Sequence, residues 1–284
     1  MKIVVCIKQV PDTNEVKIDP VTGTLIREGV PSIINPDDLS GIEAALRLKD
    51  KYGHEVIVVS MGPPQADVAL REALAMGCDE AYLISDRRFG GADTWATSRT
   101  IAGTLKILGY DLIITGRQAI DGDTAQVGPQ TAEKLGYPQI TYAEEFLACD
   151  GKSVTIKRRL ERGVETVKAP IPAVITVHGS AEECRARHAK NLMKYKHART
   201  TTELQSEDKD YTELFNERPY LNITEWTAAD LNTEASQLGL AGSPTKVKAI
   251  QNVVLTAKDS VVLTPADEDM NKLMKELIDS HVIG

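Results

Sequence analysis

The stretch Asp111-Leu112-Ile113-Ile114-Thr115-Gly116-Arg117-Gln118-Ala119-Ile120-Asp121-Gly122-Asp123-Thr124-Ala125-Gln126-Val127 decides the fold. Residues 111–115, with Leu112-Ile113-Ile114 at their centre, read as a strand of a parallel sheet. A glycine-bearing loop follows, and then a helix expected over 124–135 and closed by Gly136. In a doubly wound sheet the ligand crevice lies outside the carboxyl ends of the strands, where strand order reverses. Gly116 and Gly122 let backbone approach a ligand closely, and free amides around Thr124 and Gln126 would face phosphate oxygens with the positive end of the helix dipole. The same residues also describe an ordinary turn in which Asp123 or Thr124 caps the helix. Asp121 and Asp123 repel phosphate, and fit better as caps or as acceptors for ribose hydroxyls.

Working outward from this stretch, strands and helices alternate at βαβ spacing. A Val- and Ile-rich run over 2–10 is the first, central strand, and 16–19 with 24–27 alternate around Pro20-Val21-Thr22-Gly23 as an excursion hairpin. Asn35-Pro36-Asp37-Asp38 supplies an N-cap, a proline at the first helical position and acids in the first turn of a helix that runs to Tyr52 and stops at Gly53. Further strands are expected over 54–60 and 81–84, with helices over 64–76 and 93–108, the latter capped by Asp93. This alternation predicts an α/β, Rossmann-like (flavodoxin-like, doubly wound) parallel sheet covered on both faces.

Beyond Pro138 the period changes to two. Strands are expected over 139–146, 153–160, 164–168 and 173–177, adding antiparallel edge strands. From His178 the chain turns polar, with a basic run over 185–199 and mixed charge over 202–218, a composition that does not supply its own core. The division expected is an α/β nucleotide-binding domain over 1–180, then an extended arm over 181–284 that lies on another subunit and ends in a helix over 265–281.

Composition sets the remaining bounds. The chain has 284 residues and a formal net charge of −8, which argues against binding a phosphate backbone, so nucleic acid is not an expected partner. No apolar run reaches the length of a membrane span. Cys6, Cys78, Cys149 and Cys184 lie far apart with no C-x-x-C, and the five histidines lack metal-ligand spacing. The cysteines read as reduced thiols in a cytoplasmic protein, and any redox chemistry would have to come from an organic cofactor. G-x-G-x-x-G after the first strand and Walker A are both absent. Met61, after the second strand, is placed to pack on an adenine ring or in the core.

Several segments together resemble the electron-transfer flavoprotein β family: Cys6-Ile7-Lys8-Gln9-Val10-Pro11-Asp12, the Asn35-Pro36 helix start, Ala73-Leu74-Ala75-Met76-Gly77 and Gly116-Arg117-Gln118-Ala119-Ile120-Asp121. The family signature matches from Ile156 through Arg158, Glu161, Gly163, Glu165, Val167 and Pro172 to Ala173-Val174-Ile175-Thr176, with Arg162 departing from it. The resemblance implies an adenine-nucleotide site built from Cys6, Asn35, Pro36, Asp37, Asp38, Met61 and residues 116–127, with Arg117 as a cation near phosphate or flavin. Family members hold AMP or a second FAD in this subunit, and the Gly122, Thr124, Val127, Gly128, Pro129 pattern resembles the FAD-holding, bifurcating group. That implies hydride uptake from NADH by FAD, one electron passing to a ferredoxin or flavodoxin and the other to the FAD of an α subunit serving an acyl-CoA dehydrogenase. The segment from Arg187 to Lys194 resembles the dehydrogenase recognition loop, implicating Ala189, Asn191, Leu192, Met193 and Lys194, although Ala189 stands where some relatives carry leucine.

Overall fold

In the computed structural model, which describes residues 1–12, 31–206, 211–231, 233–246 and 261–283, the order of elements begins β1 (Lys2–Ile7), β2 (Gln9–Pro11), β3 (Ser32–Ile34), α1 (Pro36–Tyr52), β4 (Glu55–Met61), α2 (Asp67–Met76), β5 (Glu80–Ile84), α3 (Thr94–Leu108), β6 (Leu112–Gly116) and α4 (Val127–Leu135). It continues with β7 (Gln139–Cys149), β8 (Ser153–Leu160), β9 (Gly163–Pro170), β10 (Ala173–Val177), α5 (Ala189–Lys194), α6 (Thr201–Ser206), α7 (Thr212–Glu217), β11 (Thr224–Trp226) and α8 (Asp267–Asp279). The hairpin expected over 16–27 lies outside the described residues.

A nine-stranded sheet has the order β11-β5-β4-β1-β6-β10-β7-β8-β9. The chain winds outward from β1 through β4 to β5, then returns to β6 on the other side of β1, so strand order reverses between β1 and β6. Both neighbours run parallel to β1, with Cys6 opposite Val59 on one side and Thr115 on the other. Alternate residues of β1 supply two cores. Ile3, Val5 and Ile7 cluster with Ile42 and Leu46 of α1 and Leu70 and Leu74 of α2. Val4 and Cys6 cluster with Ile101 and Leu105 of α3 and Ala132 of α4. A strand buried on both faces must be apolar throughout, which is why the central strands show no alternation.

The doubly wound sheet is as expected, but four local expectations change. The first strand stops at Ile7, because the Lys8 amide turns aside to the Asp38 carboxylate and Lys8 O accepts from Asn35 N; residues 9–11 then pair antiparallel with β3. The helix expected from Pro64 begins as a 3₁₀ turn, Pro64–Ala66, before α2. The helix expected from Thr124 starts at Val127, since Asp123 (φ 48°) and Ala125 (φ 52°) take left-handed backbone that no helix accepts. Finally β10, wholly buried, lies inside the sheet between β6 and β7 and parallel to both, while β8 and β9 form the antiparallel edge.

The compact unit that contains the sheet runs Met1–Lys248, so contacts continue well past 180. Tyr195, Ala198, Leu221 and Ile223 join the α1/α2 core, Ala228, Leu231 and Leu238 join the other, and β11 pairs parallel with β5. Single apolar residues at irregular spacing seat this polar stretch, a signal that periodicity does not register. The second unit, Ala249–Gly284, carries α8, which sets Met270, Leu273, Met274, Leu277 and Ile278 along one stripe. Met270 and Met274 are each 46% exposed. No helix among the described residues is long and apolar enough to cross a membrane.

Ile114 is fully buried in β6 beside the strand reversal. Ile114→Ala should lower unfolding free energy by about 2–5 kcal/mol, read from urea denaturation.

Candidate functional site

At the strand reversal the ends of β1 and β6 are tied to the first turn of α1. Asp38 is buried, and its two carboxylate oxygens accept from Lys8 N at 2.8 Å and from Gly116 N at 3.0 Å. Burial pushes its carboxyl up to about 7, against the pull of these amides and of Asn35, with Asp37 adding a smaller upward push. The close fit explains Gly116: a Cβ there would sit 2.2 Å from Asp38 Oδ1. Gly116 therefore makes room for α1, a requirement beyond the ligand approach expected of this glycine. Gly122 is different, since a Cβ there would meet nothing within 4 Å. It lies on the open side of the loop.

Asn35 does not cap α1 through its side chain as expected. Its amide instead donates to Gln118 O at 2.8 Å, and its Oδ1 accepts from Ile120 N at 3.1 Å, so the side chain holds the loop that follows β6. Pro36 occupies the first helical position, as read. Lys8 Nζ bonds both oxygens of Asp121 at 2.7 and 2.8 Å. Arg117 pairs through Nε with Asp37 at 3.2 Å, lies over the Tyr142 ring at 5.7 Å, and donates its amide to Val177 O. Asp123 accepts from Gln118 Nε2 at 2.9 Å, and its amide closes a turn on Ala119 O.

The carboxylates that counted against phosphate are thus each engaged by a partner. What the loop presents outward is Ile120, Gly122, Asp123, Thr124 and Gln126, with Ala125 and Val127 half-buried. The first-turn amides of α4 at Val127 and Gly128 have no intrahelical acceptor by construction, and they carry the positive end of the helix dipole. Thr94 at the start of α3 donates to Gln126 Oε1 at 2.9 Å, fixing the far end of the loop. Cys6 is buried within this frame, and burial with the nearby Asp38 pushes its thiol up to about 12, which rules it out as a thiolate nucleophile at neutral pH. Met61 ends β4 half-buried against the α3/α4 core.

The structure therefore brings together Cys6, residues 35–38 and residues 116–127, with Met61 at the neighbouring strand end. Lys8 was not singled out, although it directly follows the first strand. Tyr142, with φ 59° and its ring stacked on His178, leaves no sequence signal, because it depends on the irregular pairing of β7 with β10. The predicted partner segment forms α5 beside α2: Leu192 is 44% and Met193 71% exposed, Ala189 is exposed, Asn191 is half-buried, and Lys194 lies over the rings of Tyr195 and Tyr220. All four cysteines are unpaired. No group of three or more metal-ligating side chains occurs among the described residues.

Sheet order and the loop at its reversal place the chain in the doubly wound α/β class, whose ligands bind outside the carboxyl ends of the strands. Residues 22–203 match the family model described as electron transfer flavoprotein domain. The chain is 49% identical over 283 residues to an electron transfer flavoprotein subunit beta of Clostridium acetobutylicum, covering all of both chains. It is 45% identical over 286 residues to the caffeyl-CoA reductase-Etf complex subunit CarD of Acetobacterium woodii, again over both full chains. Against protein FixA of Azorhizobium caulinodans it is 41% identical over 258 residues, 88% of this chain and 84% of that one. The chain belongs to the electron transfer flavoprotein family, as a β-type subunit.

Two glycine substitutions separate the loop's inner and outer sides. Gly116→Val should lower stability by about 1–3 kcal/mol, because its side chain displaces Asp38. Gly122→Ala should stay within about 0.5 kcal/mol of the parent. Urea denaturation of both variants checks the pair.

Proposed function

We propose that this chain is the β subunit of a heterodimer whose α1–β6 crevice holds FAD, accepts hydride from NADH, and bifurcates the electron pair. The observation that carries the reading is the loop over 116–126: its acids are each engaged from within the chain, Gly122 is exposed, and the loop leads into the N-terminus of α4 with its positive dipole end. That is a surface suited to a pyrophosphate. The pattern Gly122, Thr124, Val127, Gly128, Pro129 supports FAD over AMP, and the names of two relatives, a caffeyl-CoA reductase-Etf complex subunit and FixA, accord with a chain that works inside a redox assembly.

A bound flavin supplies two-electron uptake from NADH and one-electron delivery, one electron to a ferredoxin or flavodoxin and the other to the FAD of the α subunit, which serves an acyl-CoA dehydrogenase. The chain's own residues do the holding. Val127 and Gly128 offer amides to the phosphates, Arg117 offers a cation at the rim, Asp123 and Thr124 accept from or donate to ribose hydroxyls, and Met61 packs on the adenine. Two surfaces suit partners. The exposed Leu192 and Met193 on α5 form the dehydrogenase contact, and the apolar stripe of α8 packs on the α subunit, as does the segment after 180 where it remains exposed. The four unpaired thiols fit a cytoplasmic setting.

Co-expression with the α subunit, purification of the heterodimer and chromatography of the released nucleotides test the reading. Two equivalents of FAD and no AMP are expected. One FAD with one AMP would replace bifurcation by simple electron carriage. In the same heterodimer Met193→Glu should weaken dehydrogenase coupling roughly tenfold, seen as a raised KM for the dehydrogenase, with FAD content unchanged.

A further inference from the structure

We propose that Asp38 is the positioning residue of this site: one buried carboxylate clamps the strand ends on both sides of the reversal, and so holds residues 116–122 in the shape that receives the nucleotide. The inference rests on the nucleotide reading above and adds to it a group that itself touches no ligand. Asp38 is 6% exposed and both of its oxygens are taken by backbone amides.

Those two bonds reach both ends of the loop. The bond to Gly116 N fixes its start directly, where Arg117 N continues to Val177 O. The bond to Lys8 N fixes the residue whose Nζ holds Asp121, near the loop's outer turn. Asn35, three residues before Asp38, holds the middle through Gln118 O and Ile120 N. The start of α1 therefore supports the loop through Asn35, Asp37 and Asp38, and of these Asp38 alone reaches both strand ends. Among the described residues no cation forms an ion pair with Asp38, since Lys8 Nζ is spent on Asp121 and Arg117 on Asp37.

The absence of a paired cation gives the clamp a pH dependence of definite sign. Burial pushes Asp38 up to about 7, whereas in a released loop it meets water and returns to the ordinary carboxylate range. The clamped form binds the proton more tightly, so it is favoured at low pH and loses that advantage as pH rises through about 7. The groups facing Asp38 are Asp37 on α1 and Cys6 on β1, with the Lys8–Asp121 and Arg117–Asp37 pairs on the loop side. Cys6, pushed up to about 12, is silent across this window.

The test uses the heterodimer and three chains: wild type, Asp38→Asn, and Leu48→Ala, a buried change in the same helix away from the loop. Release of the β-site nucleotide after dilution and hydrogen exchange over 116–122 are measured at several pH values. Asn keeps the shape but sets an amide donor against one backbone N–H, so release should quicken roughly tenfold or more, with faster exchange over 116–122. Wild-type release should quicken by roughly tenfold from pH 6 to 8, and Asp38→Asn should show no such rise. Leu48→Ala should lower stability and leave release and its pH profile unchanged. Release and exchange at wild-type values in Asp38→Asn overturn the proposal, as does an equal quickening in Leu48→Ala. A wild-type heterodimer without nucleotide defeats the functional reading instead, and exchange over 116–122 alone then decides the clamp: unchanged in Asp38→Asn overturns it, faster supports it.

Discussion

The Asp38 carboxylate is the constraint around which the switch point is built. Burying a carboxylate without a paired cation costs several kcal/mol of lost hydration, and two backbone amides with the positive end of the α1 dipole offset only part of it. Because the group lies beneath the strand ends, its neighbours have no latitude. Gly116 can carry no side chain, Lys8 must leave the parallel sheet, and α1 must begin at Pro36 so that its third residue points inward. The loop that follows β6 inherits its shape from these requirements.

The same frame resolves an apparent conflict of charge. A chain with net charge −8 gathers acids at 37, 38, 121 and 123 around the strand reversal, where like charges would repel one another. Each is engaged locally: Asp37 by Arg117, Asp38 by amides, Asp121 by Lys8, Asp123 by Gln118. What any group beside the loop meets is set by charges within a few ångströms and hardly by the overall charge, which is screened beyond about 8–10 Å.

Beyond 180 the balance between local composition and tertiary contact shifts. The polar residues there bury little apolar area of their own, yet Tyr195, Leu221, Ile223, Leu231 and Leu238 reach the two existing cores and anchor the chain on them. A segment held by scattered anchors leaves most of its surface free, and that is where α5 offers Leu192 and Met193. In the second unit α8 is polar over most of its surface and carries Met270 and Met274, both exposed, on its apolar stripe.

Much of this was legible in the residues themselves. Apolar runs such as 2–7 and 112–115, closing glycines such as Gly53 and Gly136, and the Asp93 cap follow from backbone sterics and burial acting over a few residues, so the alternating elements and the crevice at the first and fourth strands of the alternation could be read directly. Tertiary structure decided what depends on residues far apart in the chain. The place of β10 inside the sheet and the duties of Asn35, Asp38 and Gly116 rest on pairings some 30 to 85 residues apart. Asn-Pro-Asp-Asp by itself spells a helix cap with acids at the positive end of a dipole. Only when β1 and β6 are brought side by side do two unpaired amides appear above that turn, and hydrogen bonding them outweighs capping.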